Sequence, residues 1–425
     1  MTAKTRIQIS SNNIVRLKIF GSLYLILSIN TLIYAAPSDF NYDESKVPKY
    51  KLLDPGASIT KSSEWPKKRT EFLKLIEEQM FGKAPKFDKK KLKVTGRKKE
   101  KIILGGQAIL TQPSLHFAGS ELTLLIVRPS KTTSPVPAFV GYNFNGNHTV
   151  HSDPSIQLPK GWVPRTKDKR AREKDRGSSS SRWDIKSIIS QGYALITAYC
   201  GDVDPDFHDG FKNGVHSSFG KPAPNEWGTI AAWAWGLSRI LDYSEIEPTI
   251  DAKRVSVIGH SRLGKTSLWA GTSDGRFALV ISNNSGCGGA ALSKRRFGET
   301  VNRINTSFPH WFCGNFKAYN NKEESLPFDQ HILLSLIAPR PLYIASAEGD
   351  RWADPRGEFL SAKGAHSIYK LLGTEGLPCK EMPGVNQPVH GKIGYHIRSG
   401  KHDITSYDWQ NYIKFANKHL KNISQ

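Results

Sequence analysis

The stretch Val255-Ser256-Val257-Ile258-Gly259-His260-Ser261-Arg262-Leu263-Gly264-Lys265 decides how this chain is read. A β-branched run ends at Gly259, a serine follows two residues later, and Thr266 to Ala270 reads as the opening of a helix. A strand that turns sharply into a helix holds a serine hydroxyl clear of the sheet edge, which is what a nucleophile elbow needs. Gly259 and Gly264 let strand and helix approach closely around that turn. The spacing is G-x-S-x-x-G rather than the commoner G-x-S-x-G, and a strand-to-helix turn with a capping serine is the plainer alternative.

The N-terminus has the grammar of a secretory signal. Lys4, Arg6, Arg16 and Lys18 form a basic region without acidic residues, Ile19–Tyr34 is apolar, and Ala35-Ala36-Pro37 offers small residues for cleavage. Ser28 and Asn30 interrupt the apolar run, which falls short of the ~20 residues of a membrane span. Residues 1–36 are therefore expected to be removed and the protein exported to the periplasm or beyond, with no membrane association afterwards; an uncleaved anchor is the alternative. Removing them from the 425 residues leaves 389, enough for one large α/β domain, and lowers the formal charge from +22 to +18. The excess is spread over the chain, with local concentrations at 83–101 and 165–182; beyond a solvated surface it suits an acidic partner such as an anionic surface or, most sensibly for an exported protein, a uronic-acid polysaccharide. No zinc-finger, helix-turn-helix or RNA-binding motif is present, so nucleic acid is not the expected partner. Cys200, Cys287, Cys313 and Cys379 lack C-x-x-C spacing, which argues against a metal; their pairing is left open.

Strand-like runs recur at Leu122–Arg128, Pro137–Gly141, Tyr193–Ala198, Arg254–Gly259, Phe277–Ser282 and Pro341–Ala347. Several are continuously apolar, as strands buried on both faces must be. Helical stretches alternate with them, above all Glu226–Tyr243 with Trp233, Trp235, Leu237 and Ile240, and a first helix is expected at Glu71–Phe81. This alternation predicts an α/β fold with a mostly parallel central sheet between helical layers. Residues 165–182, charged and then serine-rich, read as a solvated insertion.

An elbow serine needs a base and an acid to orient it, and in α/β-hydrolases the order is Ser, acid, His. The strand Pro341–Ala347 runs into Glu348-Gly349-Asp350-Arg351-Trp352-Ala353-Asp354-Pro355, which places Asp350 where the acid should project. Asp354 is the rival, although it also suits the cap of a helix over Arg356–Leu372. His402, in the polar loop Ser399–Asp403 ahead of a C-terminal helix Ser406–Leu420, is the expected base. His390 and His396 are alternatives, His366 falls inside a helix, and His148 and His260 precede the serine but could line the site. Arg262 would give a backbone N–H and a guanidinium to the oxyanion, with the other half of the hole from Tyr142–His148. A cation at a helix N-terminus is disfavoured by the macrodipole, so something should offset it.

Together, Gly259-His260-Ser261-Arg262-Leu263-Gly264-Lys265, Ser285-Gly286-Cys287-Gly288-Gly289, Arg296-Phe297-Gly298-Glu299 and Asp350–Pro355 closely resemble the bacterial glucuronoyl esterases, carbohydrate esterase family fifteen, from about Trp65 to the C-terminal helix. The resemblance implies the α/β-hydrolase fold, Ser261 as nucleophile, His402 as base, Arg262 at the oxyanion, and Lys265, Glu299 and Trp352 as contacts to the glucuronate ring. It implies no metal and no organic cofactor. One departure matters: where many members carry a catalytic glutamate, this chain has Asn284, so the acid role should fall to Asp350. The expected protein is a monomeric esterase cleaving (4-O-methyl-)glucuronoyl esters, such as those joining glucuronoxylan to lignin alcohols. An acetyl xylan or feruloyl esterase is the near alternative, and a non-catalytic polysaccharide-binding member the distant one.

Overall fold

In the computed structural model, which describes residues 40–96 and 99–421, the elbow strand lies at the centre of a twelve-stranded sheet. The signal segment read at 1–36 lies outside the described residues. In chain order the strands are β1 (Lys93–Thr95), β2 (Lys101–Ile103), β3 (Ala108–Thr111), β4 (Ser114–Phe117), β5 (Ser120–Pro129), β6 (Val136–Asn143), β7 (Ala194–Tyr199), β8 (Ile250–His260), β9 (Leu279–Asn283), β10 (Leu342–Ala347), β11 (Val389–His390) and β12 (Ile393–Arg398). The α-helices are α1 (Trp65–Ile76), α2 (Ile185–Ser190), α3 (Thr229–Ser244), α4 (Arg262–Ser273), α5 (Val301–Ser307), α6 (Gln330–Ser335), α7 (Pro355–Leu371) and α8 (Ser406–Ala416). The sheet runs β1-β4-β5-β7-β6-β8-β9-β10-β12-β11, with β2 and β3 continuing from β5. From β7 to β12 every pairing is parallel, and the antiparallel members lie outside that block.

Alternation along the central strands builds two cores, because successive side chains leave a strand on opposite faces. Val255, Val257, Val280, Leu342 and Ile344 join one apolar cluster with α1, α3, α4, α6 and α7. Ile258, Leu279, Ile281, Tyr343 and Ala345 join the other with α2 and α8. This is the three-layer α/β architecture expected from the continuous apolar runs. Helix α3 is buried over its whole length, Arg239 and Asp242 included. Those two form an ion pair at 2.7 Å, and the Arg239 guanidinium lies 4.4 Å from the Phe87 ring and 4.8 Å from that of Trp235.

Some boundaries differ from expectation. The first helix starts at Trp65, with Pro66 in its first turn, and ends at Ile76 before a π turn over Glu77–Phe81. The run Lys67-Lys68-Arg69 masks its apolar face, yet Arg69 is not a solvated cation: it donates to the carbonyls of Leu336 and Thr272 at 2.8 and 2.7 Å. The C-terminal helix likewise passes at Ala416 into a π turn. Within 165–182 only the first part is largely solvated; further on, Arg176 donates to Ile156 O at 2.7 Å, and Arg182 pairs with Asp403 at 2.6 Å. All four cysteines are free thiols, and no helix among the described residues is long and apolar enough to cross a membrane.

The parallel block lets one edge collect the loops that follow β6, β8, β9, β10 and β12, the usual ligand edge of such a sheet. Where β8 meets α4, a Cβ placed on Gly259 would lie 1.8 Å from Leu263 O, and one on Gly264 would lie 2.9 Å from Ser285 Cβ. Gly259→Ala is therefore expected to cost about 3 kcal/mol or more, as overpacking against backbone does. A urea denaturation midpoint close to wild type would show that the elbow can relax.

Candidate active site

Ser261 occupies the turn between β8 and α4 at φ 58°, ψ −130°. Its N–H donates to Asn283 O at 2.9 Å, and its own carbonyl accepts from Gly264 N at 2.8 Å, which fixes the elbow from both sides. The α4 N-terminus behind it leaves backbone N–H groups without intrahelical partners, the raw material of an oxyanion hole.

His402 projects from the loop after β12, and its Nδ1 lies 2.6 Å from Asp350 Oδ2. A carboxylate only accepts, so Nδ1 carries the proton and Nε2 is left as the basic nitrogen. The imidazole is 41% exposed while the Asp350 side chain is 4% exposed: an open base on a buried acid. The His402 ring packs 4.5 Å from that of His260, the residue before the elbow serine. Burial, and then the neighbouring His402, hold the His260 pKa well below its usual value. His260 is therefore a neutral support, its Nδ1–H donating to Asn283 Oδ1 at 2.6 Å. The His402 loop is itself stapled: Arg398 donates to the carbonyls of Ser399, Lys401 and Asp403, and Asp408 receives Arg398 Nε at 2.8 Å and His396 Nε2 at 2.9 Å.

The other candidates separate on geometry. Asp354 caps α7, accepting from Gly357 N, and binds Arg295 Nε at 2.8 Å. His396 is fully buried on Asp408, His390 bonds Asn411, and His366 Nδ1 accepts from Leu377 N. His148 is buried in the loop after β6. Asn284, which cannot supply charge, acts as a donor instead: its Nδ2 reaches Asp350 Oδ2 at 2.8 Å, the same oxygen that faces His402.

Beside the elbow, Lys265 is 3% exposed and donates to Ser285 O at 2.6 Å, with Glu299 Oε2 at 3.5 Å. Burial raises the Glu299 pKa, and Lys265 and a hydrogen bond from Trp352 offset that in part. Trp352 is half-buried, its ring edge-on to Phe40 at 4.9 Å. Phe40 belongs to an N-terminal segment that closes this side, with Asn41 O accepting from Gly298 N and Glu44 bonding Arg295. Among the described residues no group of three or more His, Cys, Asp or Glu could hold a metal ion.

Two partners were not legible in the sequence. Asp206, in the loop after β7, sits 2.6 Å from Arg262 Nε, while Phe144 covers the guanidinium at 4.5 Å. Burial alone would raise the Asp206 pKa, but Arg262, His310 and Trp311 hold it below the usual carboxylate value. This is the offset that a cation at a helix N-terminus requires. Glu358, in α7, is fully buried behind the site; it accepts from Ser285 N and Gly286 N and bonds Ser346 Oγ. A carboxylate 56 or 73 residues away along the chain leaves no local mark beside the residue it serves.

Comparison with known proteins gives the family. The family model described as "Glucuronyl esterase, fungi" matches residues 186–373. Carbohydrate esterase MZ0003, from an unknown prokaryotic organism, is 51% identical over an alignment of 409 positions that covers 91% of this chain and 94% of that protein. The chain belongs to the glucuronoyl esterases of carbohydrate esterase family 15. Among solved structures, a promiscuous family 15 esterase from a marine bacterial metagenome is 50% identical with a TM-score of 0.83, over 90% of this chain and all of that one. A glucuronoyl esterase from Solibacter usitatus is 43% identical, also at 0.83, over 88% of this chain and all of that one.

Two measurements test the site's carboxyl groups. Asp350→Asn is expected to lower kcat by about 10⁴ with little change in stability, as misorienting a triad histidine does. Asp354→Asn should instead mainly lower the unfolding midpoint, because it breaks a buried ion pair; the reverse pattern of losses would exchange the two roles. Burial pushes the Glu358 carboxyl up to about 8 from an ordinary 4.5. The fold therefore keeps a proton that the unfolded chain releases, and this contribution is complete below pH about 4.5 and lost as pH rises through about 8. In Glu358→Gln the fall in urea midpoint between pH 5 and 8 should be shallower than in wild type, and an unchanged slope would remove Glu358 as its source.

Proposed function

We propose that this protein hydrolyses esters of (4-O-methyl-)glucuronic acid through Ser261, His402 and Asp350. The observation that carries the reading is the 2.6 Å contact of His402 Nδ1 with buried Asp350, on a ring packed against the residue preceding the elbow serine. Ser261 Oγ attacks C6 of the uronate as His402 Nε2 takes its proton, forming a tetrahedral oxyanion. Arg262 and the N–H groups opening α4 stabilise that charge where it develops. Collapse expels the alcohol, which leaves with the proton held by His402. Water, deprotonated in turn by His402, then attacks the glucuronoyl-serine, and Ser261 recovers its proton as glucuronate departs.

Recognition rests on the cluster beside the elbow. Lys265 and Glu299, one donor and one acceptor, suit adjacent sugar hydroxyls, and the Trp352 ring supplies a flat apolar face for the pyranose. The positive formal charge suits a polymer whose other uronates are free acids. We further propose that residues 1–36 direct export, where such polymers are met. The solved structures similar to this chain include glucuronoyl esterases, which favours this substrate class over acetyl or feruloyl esters.

Hydrolysis of benzyl glucuronate against an acetylated xylo-oligosaccharide, with Ser261→Ala as the blank, tests the proposal. Serine-dependent turnover of the glucuronate ester is expected. Turnover of the acetyl ester alone would keep the elbow and discard the uronate pocket, whereas silence on both would leave a polysaccharide-binding protein.

A further inference from the structure

The proposed reaction changes the charge at its own centre: the ester is neutral at C6, and the product there is a carboxylate. If Ser261 is the nucleophile and Arg262 faces the oxyanion, the new anion is born against Arg262, one helical turn from Lys265. Two unmatched cations in a partly water-excluded cleft would hold that carboxylate far more firmly than they held the ester. Neither cation is unmatched. Lys265 faces Glu299 at 3.5 Å, and Arg262 faces Asp206 at 2.6 Å, all four side chains being at most 15% exposed.

Asp206 comes from the loop after β7, across the cleft from the elbow, and it is built in rather than merely nearby. It accepts from Trp311 Nε1 at 2.7 Å and lies 3.0 Å from His310 Nε2. Trp311 also places its ring 5.9 Å from the Arg262 guanidinium and 5.8 Å from Lys265 Nζ, tying both ion pairs to one wall. Arg262 meets Asp206 through Nε, 2.6 Å from Oδ2, as an ion pair rather than an aligned hydrogen bond. The counter-ion thus sits at the Nε edge of the guanidinium.

We propose that Asp206 is the counter-ion that keeps Arg262 from trapping the glucuronate product. It leaves Arg262 the directed donors that an oxyanion needs and cancels the net charge that a full carboxylate would exploit. The proposal rests on the reading of Arg262 given above, and the test separates the two.

Inhibition of benzyl glucuronate hydrolysis by free glucuronate is the measurement. In Asp206→Asn, which keeps shape and acceptor oxygen but drops the charge, glucuronate should inhibit about tenfold more tightly, a fraction of the full Coulomb interaction of one charge at this range. The tightening should vanish when Arg262→Ala is added, because the two changes share one interaction. Unchanged or weaker inhibition in Asp206→Asn overturns the proposal, as does tightening that persists without Arg262. If Arg262→Ala alone hydrolyses the ester at near wild-type rate, the oxyanion reading fails and the proposal falls with it. A wild-type measurement guards against a variant that does not fold: glucuronate and its neutral C6 amide should inhibit within about threefold of each other at a charge-matched centre. A carboxylate bound more than about thirtyfold tighter than the amide would show that Arg262 is not neutralised.

Discussion

Ser261 is held at a backbone conformation that residues with side chains avoid, and the architecture of the site follows from keeping it there. Such a residue costs of order 1–3 kcal/mol and persists only when its surroundings over-determine it. Here they do. β8 and α4 meet so closely that position 259 admits no side chain, and the Ser261 N–H is taken by the neighbouring strand β9. The same β9 end carries Asn283 and Asn284, which reach His260 and Asp350. The turn that exposes Ser261 is thus braced by the strand that also braces His260 and Asp350.

The second organising constraint is electrostatic. The chain carries a large excess of cations, yet the acids around the cleft are buried and individually matched: Asp206 with Arg262, Glu299 with Lys265, Asp354 with Arg295, Asp408 with Arg398. Burying such pairs adds little net stability against an apolar alternative, whereas losing one member leaves a costly lone charge. Their worth lies in fixed geometry: each pair locks a loop or a helix start that presents a site residue. The excess lies at the surface, while the pairs beside the elbow are balanced.

What the sequence revealed and what it concealed divide along one line. Strands buried on both faces are continuous apolar runs, so the parallel block and the elbow could be read directly from β6, β8 and β10. His402 and Asp350 could be singled out because each follows a strand in a fixed order, and Asp354 betrayed its capping role through Pro355. The first helix was expected only from Glu71, since the run Lys67-Lys68-Arg69 hides an amphipathic face when one of its cations is turned inward onto carbonyls. Asp206 and Glu358 left no trace: their partners lie on other elements, and only the folded sheet brings a loop after β7 or the middle of α7 to the elbow. Asn284 was read as a loss of charge, while its gain as a hydrogen-bond donor depended on knowing what stood opposite.

The N-terminal segment lends a practical corollary. Phe40 leans on Trp352, Asn41 accepts from Gly298, and Glu44 secures Arg295, so the chain enters the described fold at the rim of the site proposed for the sugar. A purification handle or fusion partner joined just ahead of Phe40 would emerge beside the Trp352 face and compete with bulky polymer for the same space. Small soluble esters would not sense it. Apparent preference for small substrates over polysaccharide could then report the cloning strategy rather than the enzyme, and a handle at the opposite terminus is the sounder choice.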